Sequence, residues 1–162
     1  MEALSVPHPQ LGDSFRAAMR RITSTVTIVT ADDGSRRHGM TMTAVSSLSM
    51  DPPSMIVCTH QSTFLHDILQ SAQSFCVNVL RRDHVAVSTV FSGKAPPEER
   101  FQVGEWIVEN SIHRLSDAQA NVFCKKVAAV PFGTHTIFIG TVTDVRLNDD
   151  GEPLLYRNAS YC

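Results

Sequence analysis

The chain has 162 residues, 43% of them hydrophobic, and a formal net charge of −2. Those values fit one domain of ordinary size with enough apolar mass for a core, and they argue against wholesale disorder. They also argue against nucleic acid as a partner, because the arginine pairs at 20–21, 36–37 and 81–82 are isolated and define no basic face.

Residues 1–12, "MEALSVPHPQLG", read as a flexible tail, with neither the basic start nor the apolar run of a secretory signal. Residues 13–162 read as the folded domain. "DSFRAAMRRI" is a helix capped by Asp13 or Ser14, with Phe15, Met19 and Ile22 at helical spacing. "STVTIVTADDGSRRHGMTMTAVSSLSM" alternates small polar and apolar residues around an Asp-Gly turn, which is hairpin chemistry. "DPPSMIVCTH" enters a strand through prolines. "STFLHDILQSAQ" is a short helix capped by Ser62 or Thr63, with Phe64, Leu65, Ile68 and Leu69 as its buried stripe.

"SFCVNVL" is a strand and "DHVAVSTVF" a helix. "SGKAPPEERFQVGEW" is a loop long enough to suggest function. "VFCKKVAAVPFGTHTIFIGTVTDVRLN" is two long strands about a turn at Pro131 to Gly133, and "GEPLLYRNASYC" a final short strand. Six or seven strands joined mainly by hairpins, with a few short peripheral helices, predict a mainly β, antiparallel barrel that leaves no open edge. No stretch is long and apolar enough to span a bilayer. The cysteines at 58, 76, 124 and 162 form neither C-x-x-C nor a zinc-type cluster, so a reduced, cytoplasmic protein without a metal site is expected.

No glycine-rich nucleotide motif, Walker A motif or G-x-S-x-G is present. What stands out is "GMTMTAVSSLSMDPP", which sets Thr41, Thr43, Ser46, Ser47 and Ser49 in one segment. Threonine and serine there suit a hydrophilic strand face, and they equally suit a cradle of neutral donors for an anion. Ser62 and Thr63 open a helix, where free N–H groups favour a phosphate or the hydroxyls serve only as caps. His135, in "PFGTHTIFIG", stands where a turn becomes a strand. His8, His38, His60, His66, His84 and His113 read mostly as solvated, Cys76 and Cys124 as buried small hydrophobes, and Trp106 as a core or interface residue.

"GMTMTAVSSLSMDPPSMIVC", Ser62 before a helix, "FCVNVL", "FSG" at 91–93, "ERF" at 99–101, Trp106, "FGTHTIFIGTV" and "PLLYRNASY" occur in the order seen in the flavin reductase-like family. Over about residues 12–161 the chain resembles the short-chain NAD(P)H:flavin oxidoreductases of two-component monooxygenases. It is similar to the reductase components of 4-hydroxyphenylacetate 3-monooxygenases, which share G-T-H. The resemblance implies an FMN-binding split barrel, a homodimer with flavin near the subunit interface, and reduction of FMN or FAD by NADH or NADPH for a partner monooxygenase.

By matching position, Met40, Thr41, Ala44, Val45, Ser46 and Ser47 line the flavin ring and ribityl chain. Cys58 and Thr59 make strand contacts, Ser62 and Thr63 hold the phosphate end, and Arg100 is a charge partner from the long loop. The resemblance places His135 near the nicotinamide, with Tyr161 close to it. Rival readings on the same fold are a flavin-retaining reductase, such as a cobalamin-cofactor reductase, and a flavin- or haem-binding module without turnover.

Overall fold

The computed structural model describes residues 9–148 and 151–162. A helix, α1 (Pro9–Met19), precedes a short strand β1 (Ser24–Thr25) and the hairpin β2 (Thr27–Asp32) and β3 (Arg37–Met42). Then come β4 (Val45–Met50), β5 (Pro53–His60), helix α2 (Phe64–Ser71) and β6 (Ser74–Val79). Helix α3 (Val85–Thr89) runs on into a π-helical turn (Val90–Lys94), followed by α4 (Pro97–Arg100). The chain closes with β7 (Trp106–Glu109), β8 (Ile112–Leu115), the long pair β9 (Ala120–Phe132) and β10 (His135–Leu147), and the hairpin β11 (Leu155–Arg157) and β12 (Ser160–Tyr161).

Among the described residues, seven strands form one antiparallel sheet in the order β3-β2-β6-β9-β10-β5-β4. The consecutive strands β3 and β4 are its two opposite edges, yet only Thr43 and Ala44 separate them. A flat sheet would hold those edges about 29 Å apart, at about 4.8 Å per strand spacing. The link from Met42 to Val45 reaches about 11 Å at most. The sheet must therefore curl until its edges meet at this corner, where the Cys58 N–H donates to the Ala44 carbonyl at 2.9 Å. The two edge strands do not pair with each other, so the barrel is split, and the expectation of a barrel without open edges gives way to one with two.

Strand β2 is buried on both faces, so the alternation expected of this segment does not extend through "TIVTA". Val29 and Ala31 point into a core with Val57, Phe75 and Phe138, closed by Leu65, Ile68 and Leu69 of α2. Ile28 faces a second core with Val26, Leu80, Phe91 and Leu115. Helix α2 starts at Thr63, whose hydroxyl accepts from the His66 N–H, and ends on Lys126, whose Nζ donates to the Leu69 and Gln70 carbonyls at 2.6 and 2.7 Å. A cation there complements both the open carbonyls and the helix dipole.

Several sequence expectations need correction. The first helix begins at Pro9, so residues 9–12 are helical; residues 1–8 of the expected tail lie outside the described residues. Its apolar stripe is not buried: Phe15, Met19 and Ile22 are all exposed. Phe64 is also exposed, and only Leu65, Ile68 and Leu69 of the α2 stripe are buried. The β7–β8 hairpin was not anticipated, and the last segment is a hairpin rather than one strand. No helix among the described residues is long and apolar enough to cross a membrane.

The unexpected hairpin is pinned by a buried amide network. Asn78 donates to the Ile28 carbonyl at 2.9 Å, and its Oδ1 accepts from the Leu115 N–H at 2.9 Å and from Asn121 Nδ2 at 2.8 Å. Asn121 Nδ2 also donates to the Leu115 carbonyl at 3.1 Å. Asn78→Ala strands these buried groups, so urea unfolding is expected to show a loss of about 2–3 kcal/mol. An unchanged midpoint would mean that β8 is held by apolar packing alone.

Candidate functional site

Opposed residues in an antiparallel ladder share a face. The register sets Ser46 opposite Ile56, Ile56 opposite Ile139, Cys58 opposite Ile137, and His60 opposite His135. On β9, Val130 and Phe132 continue the same face, opposite Ile137 and His135. Ser46, Cys58 and His135 thus lie on one open, largely apolar sheet surface. Val45 and Thr59 point the other way: Val45 packs on the core and Thr59 is buried, so only the backbone of Thr59 reaches outward. The Thr59 hydroxyl has no hydrogen-bond partner among the described residues. Ser47 and Ala44 are exposed along the β4 edge, where alternate backbone amides face no second strand.

The rings of His60 and His135 meet edge to face with centroids 5.0 Å apart. The Ser62 N–H donates to His60 Nδ1 at 3.1 Å, and Ser62 Oγ lies 2.8 Å from the same nitrogen. Nδ1 is therefore the acceptor, and the proton of neutral His60 sits on Nε2. Thr134 Oγ1 lies 2.9 Å from His135 Nδ1, and Gln61 Nε2 donates to the His135 carbonyl. The two neighbouring hydroxyls thus divide the work: Thr63 caps α2, while Ser62 serves His60. Sequence reading passed over His60, because only the register brings it to His135 across 75 positions.

The other candidates line two cavities that share Ser92 as a wall. One, of about 450 Å³, holds Thr41, Tyr161, Lys94 and Thr89. The other, of about 340 Å³, holds Met40, Thr63, Arg100 and His38. Ser92 belongs to the π-helical turn, which lies on β3 because Gly39 has no side chain: a Cβ there would sit 2.6 Å from Phe91 Cε1. Gly93 turns the chain at φ +94°, a conformation that glycine adopts without strain. Thr41 Oγ1 donates to the Ser88 carbonyl at 2.6 Å, and Ser88 Oγ lies 2.7 Å from the Tyr161 hydroxyl.

Arg100 is not an open charge. It is buried and donates to the Gly39 carbonyl, to His38 Nε2 (both 3.0 Å) and to the Ala95 carbonyl at 3.2 Å. It clamps the long loop to the β3 edge. His38, read from sequence as solvated, is buried beneath it, as are His66 and His84 elsewhere. Trp106 is a core residue, packed with Phe91 and Phe101. Cys76 and Cys124 are buried, and burial pushes the Cys124 thiol up to about 12. No group of histidine, cysteine and carboxylate side chains among the described residues is arranged to hold a metal.

A flat ring with a polar rim and a phosphate tail fits this surface. Ile56, Cys58 and Ile137 offer an apolar floor, the β4 edge offers unpaired amides, and the start of α2 offers N–H groups. A curled antiparallel sheet split at one corner, with a hydroxyl-lined edge, defines the class as a flavin-type split barrel. The comparisons with known proteins are specific. The family described as "Flavin reductase like domain" matches residues 19–162, and the chain belongs to it. It is 50% identical over 155 residues to the reductase component of an FADH(2)-dependent resorcinol hydroxylase from Rhizobium sp., covering 94% of this chain and 87% of the relative. It is 38% identical over 148 residues to the FMN reductase (NADH) RutF of Agrobacterium fabrum, covering 91% and 85%. Among solved structures it resembles the flavin reductase PheA2 (TM-score 0.84, 28% identity, 96% and 97% covered) and the flavin reductase HpaC complexed with NADP+ (TM-score 0.85, 25% identity, 93% and 96% covered).

Burial, reinforced by the Arg100 charge, pulls His38 down to about 4 from an ordinary 6.5. Between those values the unfolded chain binds the extra proton, so stability falls as pH drops from 6.5 towards 4. Urea midpoints of the wild type are expected to fall more steeply over that window than those of His38→Gln, which keeps an acceptor for Arg100. Parallel slopes would show that His38 does not govern this window.

Proposed function

We propose that the chain is the reductase component of a two-component system: it passes a hydride from NADH or NADPH to FMN or FAD and releases the reduced flavin to a partner monooxygenase. Membership of the flavin reductase like family and the names of its relatives support this. The observation that carries it is the His60–His135 pair on an apolar sheet face beside the open edge of β4. A bound flavin supplies the redox chemistry itself, and the protein supplies position and electrostatics.

In this reading Ser46, Ser47 and the β4 backbone hold the polar rim of the ring, and Ala44 leaves room at the corner. Cys58 floors the ring, and the α2 start with Ser62 and Thr63 takes the phosphate end. Met40, Thr41 and Tyr161 border the approach from the β3 side, and Arg100 acts by fixing β3. His135, held at Nδ1 by Thr134 and buttressed by His60, leaves Nε2 to hydrogen-bond the dinucleotide. Hydride transfer needs no proton from it, so its task is to fix the nicotinamide in a near-attack geometry. A cradle of hydroxyls and amides with little fixed charge suits a flavin that must leave. The four free cysteines fit a reducing, cytoplasmic setting.

NADH oxidation by the purified chain is expected to saturate with added free flavin. His135→Ala is expected to raise the apparent KM for NADH about tenfold with flavin binding kept, the scale of one lost hydrogen bond to a charged or well-ordered group. Loss of flavin binding with NADH affinity intact would put His135 on the flavin side, and wild-type kinetics would make it a turn residue.

The reading includes a homodimer. Leu11, Phe15 and Met19 on α1, and Val130 and Phe132 beside His135, are exposed apolar groups of the kind that mark protein interfaces. Light scattering should give twice the chain mass of 17.8 kDa. A monomer that still turns over would remove the dimer from the proposal.

A further inference from the structure

Three hollows share walls and form one trench. The cavity of about 450 Å³ beside Tyr161 shares Thr43, Tyr156 and Ala159 with one of about 230 Å³. That one shares Arg16, Arg20, Arg157 and Asn158 with a third, of about 780 Å³, which also holds Arg21. The trench therefore starts among hydroxyls and two tyrosines and ends among four guanidinium groups. Asp13 is the single side-chain carboxylate among the described residues lining that far end, already paired with Arg16 at 3.2 Å, and the last residue, Cys162, lines it too, so the arginines outnumber the acidic groups there. Arg20, Arg21 and Arg157 have no side-chain partner among the described residues. In a chain of net charge −2, so local an excess of positive charge is a field waiting for an anion.

The trench is also built. The Asn158 N–H donates to the Arg20 carbonyl at 3.0 Å, tying the end of α1 to the β11–β12 turn. Asn158 and Ala159 hold φ of 49° and 62°. Positive φ at both is what a two-residue turn between the paired residues Arg157 and Ser160 requires, so the turn is tight and fixes where Arg157 leaves it. The small Ala159 stands at the wall between the hydroxyl hollow and the next. Tyr156 and Tyr161 meet edge to face at 5.7 Å, with Tyr161 anchored on Ser88.

A ligand complementary to this trench carries an aromatic ring and hydroxyls at one end and more than one phosphate charge at the other. We propose that Arg20 and Arg157, with Arg16 and Arg21, bind the diphosphate of the adenosine diphosphate moiety of the nicotinamide dinucleotide, since the flavin's own phosphate belongs at the start of α2. The proposal rests on the reductase reading. Guanidinium groups are the natural partners, because their planar fork matches phosphate oxygens.

Calorimetric titration of the full chain with ADP tests it. Wild type is expected to bind ADP, and the Arg20→Gln/Arg157→Gln variant to bind it about tenfold more weakly, the scale of lost charge-assisted hydrogen bonds. Titrations with FMN, FAD and NADH then identify the source: a loss for NADH with FMN and FAD unchanged is expected, and a loss for FAD with NADH unchanged overturns the proposal. Equal ADP affinity in variant and wild type, or no ADP binding by wild type, overturns the proposal. If circular dichroism shows the variant unfolded, the wild type decides. Its ADP affinity must fall as salt rises towards about 0.5 M, where screening shortens to a few ångströms; a salt-independent affinity overturns the proposal. Flavin-dependent NADH oxidation by the wild type tests the reductase reading separately, since FMN reduction proceeds whether or not the arginines bind diphosphate.

Discussion

Two residues, Thr43 and Ala44, join strands that lie at opposite edges of a seven-stranded sheet. Everything around the site follows from that short tether. It bends the sheet until β3 and β4 converge, yet leaves their outer amides unpaired. The hydroxyls of one sequence segment are thereby dealt to two different edges. Thr41 looks towards the π-helical turn and Tyr161, while Ser46 looks across the sheet face towards Ile56. A longer loop would let the sheet relax and pull the two sides of the site apart.

Much of this was legible in the chain. The Asp-Gly hairpin, the proline-led strand, the α2 helix and the long β9–β10 pair each carry local signals: a turn dipeptide, a missing N–H, a helical stripe, a run of β-branched residues. The β7–β8 hairpin was not legible. Its partner contacts are the amides of Asn78 and Asn121, more than 30 positions away from Leu115 in one case, and its own segment follows a proline- and charge-rich loop that masks it. The α1 stripe was misread for a related reason: periodicity announces an apolar face but not whether the same chain covers it.

The candidate site was legible in its parts and not in their grouping. The hydroxyl-rich segment, the helix start and His135 are visible as local patterns, and the family resemblance put them in one list. Only the strand register sorts that list into a sheet face, two cavities and the core. It turns Thr59 inwards, gives His60 a role beside His135, and separates Ser62 from Thr63. Arg100 shows the limit of reading charge from sequence. Placed in a loop it looks free, but three acceptors consume it, and its work is to close the exposed edge of β3.

Strands β9 and β10 have 13 residues each, about twice the length of β6. Beyond Lys125, β9 runs past its β6 partner, so the stretch towards Phe132 is bordered by β10 alone. An overhanging half-strand with Val127, Val130 and Phe132 exposed is a template for open-ended polymerisation. Pro131 removes one backbone donor from the overhang, and Lys126 is spent on the end of α2. The girder is thus free to offer side chains to a neighbour while withholding the continuous row of amides from which a fibril would grow.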